Sequence, residues 1–231
     1  MLGTIVNSIA IIVGGTIGTL LKVGIPERFK NIVMQGVALS VMIIGISSGL
    51  QFNNLMVVIV SLVIGGIIGE ALNIEEYLNK LGDTFQKKLS KDNSSTISKG
   101  FVTASLVYCI GAMAIVGALK DGLSGDHSIL FAKSVLDGIS SIIFASTFGL
   151  GVVFSAISVF LYQGSISLGA SFLQGLLTKP VIDDMTAVGG VLIFAISLNM
   201  LEIKNIKVGN LLPAIFIPIF YQILLNIIKG F

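Results

Sequence analysis

The chain has 231 residues, 54% of them hydrophobic and 11% charged, with a net charge of +2 and a mean hydropathy of +1.00. A soluble domain carries roughly 25% charged residues, so this composition excludes an ordinary soluble globule. It also lacks a basic stretch interleaved with aromatics, which argues against nucleic-acid binding, and its lone Cys109 excludes a disulfide framework within the chain.

Apolar runs long enough to cross a hydrocarbon core of about 30 Å, which takes roughly 20 helical residues, recur along the chain. Lipid cannot hydrogen-bond to backbone, so each run must be helical or part of a closed barrel. The runs do not alternate polar with apolar, so the expected fold is all-α, a polytopic transmembrane helical bundle forming one domain over 1–231. The predicted spans are Thr4–Leu21, Asn31–Leu50, Asn54–Leu72, Phe101–Leu119, Ile129–Thr147, Gly151–Phe172, Met185–Leu201 and Val208–Ile228. The first has no basic leader and no small-residue cleavage site, so it reads as a retained helix. Segment 74–100 is polar. Ile74, Tyr77, Leu78, Leu81 and Phe85 recur at helical spacing opposite Glu75, Glu76, Lys80, Asp83, Lys87 and Lys88, which predicts a cytoplasmic amphipathic helix at the interface. A flexible link over Ser90–Ser98 follows it.

The fifth and sixth spans meet at Phe148-Gly149-Leu150-Gly151 with no charge between them. Either they form a tight hairpin, giving eight spans, or one long helix precedes a re-entrant stretch near Gly164–Leu177, giving seven. Helix breaks are expected at Gly149, Gly151 and Gly164. Pro213 and Pro218 should kink the last span. Lysine and arginine set orientation. With the N-terminus outside, Lys22, Arg28, Lys30, Lys80, Lys87, Lys88, Lys91, Lys99, Lys204 and Lys207 fall inside, against Lys120, Lys133, Lys179 and Lys229 outside. A faint internal repeat aligns Val41–Ser47 with Val191–Ser197, so that spans one to three match six to eight in opposite orientation, a common transporter plan.

Asp137 is the most informative residue. It lies about two turns into the fifth span, where a carboxylate costs roughly 2.5–3.5 kcal/mol on insertion scales and faces a cavity or a partner. Ser134, Ser140 and Ser141 share its helix, and carboxylate with hydroxyls suits Na⁺, H⁺ or a polar solute. The alternative is an interfacial Asp137 paired with Lys133 one turn away. Gln163, Ser165, Ser167, Asn7 and Asn199 are the further candidate path residues. The glycine-rich stretches Gly14–Gly18, Gly65–Gly69 and Gly111–Gly117 read as close-packing faces. The single histidine, His127, cannot build a zinc cluster of the usual composition. No catalytic constellation, metal site or cofactor is expected.

Cys109-Ile110-Gly111-Ala112-Met113-Ala114-Ile115-Val116-Gly117-Ala118-Leu119, Asp121-Gly122, Gly125-Asp126, Lys133-Ser134, Leu136-Asp137-Gly138, the Phe144–Ala156 run, Gln163-Gly164 and Gly3…Asn7 resemble the YqgA/YdfK-like bacterial membrane proteins, "domain of unknown function 554". The resemblance covers essentially the full length. It implies a multi-pass inner-membrane protein, commonly called a transporter, and supplies neither substrate nor mechanism. The expected function is therefore a small-solute or ion transporter of a bacterial inner (plasma) membrane with Asp137 at the centre of its path. The alternative is a membrane interaction or sensor protein that packs through Gly-rich faces. The expected partners are the lipid bilayer, an unidentified solute or ion and a second copy of the chain.

Overall fold

The computed structural model describes residues 1–21, 27–77, 80 and 96–229. The elements are α1 (Leu2–Leu21), α2 (Glu27–Gly49), α3 (Leu55–Leu72), α4 (Thr96–Cys109), α5 (Ala112–Leu123), α6 (Ser128–Phe148), α7 (Gly151–Leu168), the one-turn α8 (Ala170–Leu173), α9 (Lys179–Met200), a 3-10 helix (Val208–Phe216) and α10 (Ile217–Lys229). No strand occurs among the described residues. α1, α3, α6, α7, α9 and the continuous Val208–Ile227 stretch make six helices long and apolar enough to cross a membrane. α4 and α5, bent by 62° at their break, would make a seventh. α2 is the element on which an eighth depends: among the described residues it supplies the shorter apolar helix Ala38–Gly49. The fold is the expected all-α polytopic bundle.

α6 and α7 form a hairpin. The turn is made by Gly149 at φ 72°, ψ −147°, a backbone region essentially closed to other residues. α1 packs between the two arms and shows their directions. Going along α1, Gly3 meets Leu130, Gly14 meets Gly138 and Gly18 meets Ile142, so α1 and α6 run parallel. Met1 lies at Gly164, and Gly15 meets Val153, so α1 and α7 run antiparallel. The single long helix is thereby excluded. Gly164 is a correction: it lies inside α7, which continues to Leu168 before the chain turns at Gly169. Gly151 is not itself a break but the first residue of α7, where an added Cβ would collide with the Ile97 carbonyl of α4.

Other boundaries moved for local reasons. α9 starts at Lys179, well before the predicted Met185, because Pro180 sits in its first turn, where a missing N–H breaks no helical bond. The last span is a 3-10 helix containing Pro213, followed by α10 with Pro218 in its first turn. Gly111, read from sequence as part of a packing face, instead separates α4 from α5 at φ 125°, ψ 151°. α4 begins at Thr96, inside the segment expected to be a link. A helical turn covers 74–77 with Tyr77 exposed. Leu78, Leu81, Phe85 and most of the predicted amphipathic segment lie outside the described residues.

Three helix pairs meet antiparallel: α1 with α7, α2 with α9, and α3 with the 3-10 helix. Gly45 abuts Phe194 while Gly49 abuts Gly190, and Gly65 abuts Ala214 while Gly69 abuts Asn210. These are the three pairs that the faint repeat matches, and antiparallel pairing of mates is what an inverted repeat requires. α9 is the central helix, with 78% of its span buried against 28% for α3. Ile59, Val63 and Ile67 of α3 and Val135, Ile139 and Ile143 of α6 are exposed, and they supply the apolar belt a bilayer would cover.

Candidate functional site

The parallel contact of α1 with α6 depends on glycine. A Cβ at Gly14 would strike the Gly138 carbonyl, and one at Gly18 the Ile142 carbonyl. Small residues of this kind let membrane helices approach closely. The close approach brings the buried face of α1 (Thr4, Asn7, Ser8, Ile11) against the polar face of α6 (Lys133, Ser134, Asp137, Ser141).

At the centre, Lys133 Nζ donates to both carboxylate oxygens of Asp137, at 2.8 and 2.7 Å. Their side chains are 8% and 7% exposed. Asn7 Nδ2 donates to Asp137 Oδ2 at 3.0 Å and to Gln163 Oε1 of α7 at 3.3 Å. α1 thus meets the carboxylate directly, and α7 is joined to it through Asn7. One turn further along α6, Ser141 Oγ donates to the hydroxyl of Tyr108 from α4 at 3.0 Å. Tyr108 stacks on Phe144 and is fully buried.

The cluster is not saturated. Asn7 Oδ1, Gln163 Nε2 and the hydroxyls of Thr4 and Ser8 are buried without a partner. A buried polar group left unmade costs about 1–3 kcal/mol. Two of them belong to the Asn7 and Gln163 amides that link Asp137 to α7, and Thr4 and Ser8 lie on the same buried face of α1 as Asn7.

The other predicted path residues divide. Ser167 is buried and donates to Asp121 Oδ2 at 3.2 Å, at the Met1 end of the same bundle. Ser134 and Ser140 spend their hydroxyls on the Leu130 and Leu136 carbonyls one turn back. Ser165 is exposed and bonds to the Tyr162 carbonyl. Asn199 is a correction to the expected path: it lies at the end of α9, where it accepts from the Ile206 N–H and donates to the Ile206 carbonyl. It fastens the turn before the 3-10 helix.

The sequence named Lys133 as an interfacial partner of Asp137 and counted it with the outside charges; the pair forms, but inside the bundle. Two buried groups were missed. Asp121 was read as part of a loop. Its fully buried carboxylate receives the Met1 amino group at 2.6 Å, the Gly3 N–H at 3.2 Å and His127 Nδ1. Asp184 of α9 was overlooked because the helix was started too late. It is buried and accepts from the Asn53 and Asn54 N–H groups at 2.8 Å each, tying α9 to the α2–α3 turn. A signal for Asp121 and Asp184 existed: each lies within a turn or two of a strongly apolar run.

Among the described residues no group of three or more His, Cys, Asp or Glu side chains could hold a metal ion. An apolar groove of about 460 Å³ lies between α3 and the last span, lined by Ile68, Pro213, Phe216, Ile217, Ile219 and Phe220. It offers no group for recognising a polar solute. In the loop before α6, Asp126 accepts from the Ser128 hydroxyl and N–H, which hold its carboxyl below the usual range.

Residues 2–223 match the family model described as "Protein of unknown function (DUF554)". The uncharacterized membrane protein YdfK of Bacillus subtilis (strain 168) is 39% identical over 94% of each chain. The uncharacterized protein YqgA of Escherichia coli (strain K12) is 30% identical, again over 94% of each chain. No solved structure matches. The membrane-spanning helices and the membrane-protein relative agree on a multi-pass membrane location, and the chain belongs to the DUF554 family.

Proposed function

We propose that this protein is a small-solute or ion transporter of the bacterial inner membrane, with the N-terminus outside and the polar segment after α3 inside. The observation that supports it is the Lys133–Asp137 pair, held inside the bundle and bonded to the Asn7 amide of α1, which in turn bonds to Gln163 of α7. Burying two opposite charges costs more than filling the same space with apolar residues, so stability alone gives no reason for the pair. Unpartnered polar atoms beside it mark a place where a passing solute or ion would find partners.

The Gly-rich faces weigh against an interaction or sensor role. Gly14, Gly18, Gly65 and Gly69 are consumed by contacts within the chain. The exposed face of α2 is the exception: Gly36 has open space around it, and Leu39 and Ile43 are exposed.

The test is uptake by purified protein in liposomes, screened over a panel of ions and small polar solutes. The expected result is uptake of one class by the wild type and its loss in Asp137→Asn that elutes as a folded monodisperse protein. Absence of uptake across the panel, together with restored stability in Lys133→Met/Asp137→Asn, would leave the pair with a structural role alone.

A further inference from the structure

The last span changes its winding partway. Val208–Phe216 is a 3-10 helix of 9 residues, and Ile217–Lys229 continues as α10. A 3-10 run longer than about four residues is uncommon, and one inside a longer helix often marks a hinge. Two prolines account for this one. In an α-helix Pro213 would press its ring on the Gly209 carbonyl and offer it no N–H, and Pro218 would do the same to the Ala214 carbonyl. The tighter winding gives the Ala214 carbonyl another donor, the Ile217 N–H. Neither carbonyl therefore has an α-type bond that would resist bending around Phe216.

The two halves are held very differently. The 3-10 half is fastened to α3. Lys207 and Asn210 donate to the two carboxylate oxygens of Glu70, the Gly209 N–H donates to Glu75, and the Glu75 N–H donates to Asn210, each at 2.6 Å. Its backbone lies so close to α3 that a Cβ on Gly65 would collide with Ala214 and one on Gly69 with Asn210. α10 shows no such anchorage over its described residues. Past Pro218 none of the described residues 219–227 is buried, and Gln222 bonds to Asn226 within the same helix. Low burial and few bonds to other elements mark a segment that moves. The apolar groove straddles the change of winding. Ile68 of α3 forms one wall, and Pro213, Phe216, Ile219 and Phe220 run along the other, on both sides of the change.

We propose that α10 is a hinged arm that swings about Phe216–Pro218 and closes the groove against Ile68 of α3, while the 3-10 half stays fixed. Closure exchanges contacts with lipid chains for contacts between Phe220 and Ile68. Lipid tails are as apolar as those side chains, so neither position is strongly favoured and both are populated. A change of about 20°, the size of a sharp helix kink, carries Leu224, roughly 10 Å along the helix from the hinge, through roughly 4 Å. The seam between α3 and the last span thus opens and shuts toward the Lys229 end and stays shut at the Glu70 end. The Lys133–Asp137 pair takes no part in the swing, which stands or falls apart from the transport reading.

The test is pulsed electron spin resonance distance measurement on the purified full chain in liposomes, in a Cys109→Ala background that removes the native thiol. One spin label sits at Ile139→Cys of α6 and the other at Phe216→Cys or at Leu224→Cys; all three positions are exposed. The expected result is a single narrow distance to Phe216 and a distribution to Leu224 wider by roughly 4 Å. Ile68→Trp fills the groove without touching a backbone bond. It should remove the closed population and narrow the Leu224 distribution to the Phe216 width. Pro213→Ala with Pro218→Ala restores both α-type donors and should narrow it as well. Equal widths at Phe216 and Leu224 overturn the proposal. So does a Leu224 distribution left unchanged by Ile68→Trp, whose exposed position keeps that variant folded even where the proline pair fails.

Discussion

The Lys133–Asp137 pair closes at 2.7 Å with side chains 8% and 7% exposed, and the Lys207–Glu70 pair closes at 2.6 Å with side chains 62% and 56% exposed. The distances barely differ, so Coulomb attraction by itself does not separate them. Environment does. The first pair joins residues one turn apart on α6 and is enclosed by α1 and α7. The second joins the end of α3 to the start of the last span, with water at hand. An exposed pair is worth about 0–1 kcal/mol, whereas leaving one member of a buried pair alone costs about 3–5 kcal/mol.

That contrast breaks most visibly at Asp137. Asp137→Asn keeps the shape but leaves the Lys133 ammonium buried without a counter-charge. The expected loss is about 3–5 kcal/mol, read as a large fall in the melting temperature in detergent. Lys133→Met combined with Asp137→Asn removes both charges and should recover most of it. If the single variant melts like the wild type, the pair is solvated in the protein and the burial argument is wrong.

The enclosure depends on how closely α1 approaches α6. Gly14→Val drives a branched side chain into the Gly138 carbonyl, and overpacking of this kind costs about 1–3 kcal/mol. Gly36→Ala is the matched control, since nothing lies within 4 Å of the added carbon. It should be neutral, or stabilise by up to about 1 kcal/mol through helix propensity. Chemical unfolding of both variants decides whether glycine matters here by contact or only by number. Gly111→Ala tests backbone rather than contact. Its φ of 125° lies where a side chain costs about 1–3 kcal/mol, although space around it is open.

These variants also show what the sequence could and could not reveal. The helices were legible because lipid leaves backbone no other partner, so each apolar run announces itself. Asp137 was legible because a carboxylate inside such a run is costly. Its partner Asn7, and Gln163 bonded to Asn7, were nameable as isolated polar residues, but not as neighbours, because the close approach depends on which glycines face which helix. Lys133 was named as a partner of Asp137, but its depth was misread for a related reason. Four residues from a span boundary, a lysine reads as a loop charge, and only the packing of α1 shows that it points inward. The break at Gly111 stayed hidden because a glycine that packs and a glycine that turns look alike in sequence. Asn199 stood two residues from the end of its predicted span and was read as a path residue only because it is an isolated amide; the helix ends at Met200, and the amide closes the turn that follows.

The smallest effect is expected at the exposed pair. Removing Lys207 by Lys207→Ala leaves the seam between α3 and the last span held by other bonds. Asn210 Nδ2 donates to Glu70 at 2.6 Å, the Gly209 N–H donates to Glu75 at 2.6 Å, and the Glu75 N–H donates to Asn210 Oδ1 at 2.6 Å. The hydrogen bond to Glu70 raises the Lys207 ammonium above its ordinary range. A raised lysine contributes in full below its unfolded pKa of about 10.4, and the contribution is lost as pH rises through the folded value. The wild type and Lys207→Ala should therefore differ slightly and constantly from neutral pH to about pH 9, then converge as pH rises through the raised Lys207 value. Salt should shrink the difference, because an exposed pair is screened within about 10 Å at 0.1 M. Melting curves over that pH range check it. A Lys207→Ala defect as large as that of Asp137→Asn, and insensitive to salt, would mean that burial is not what separates the two pairs.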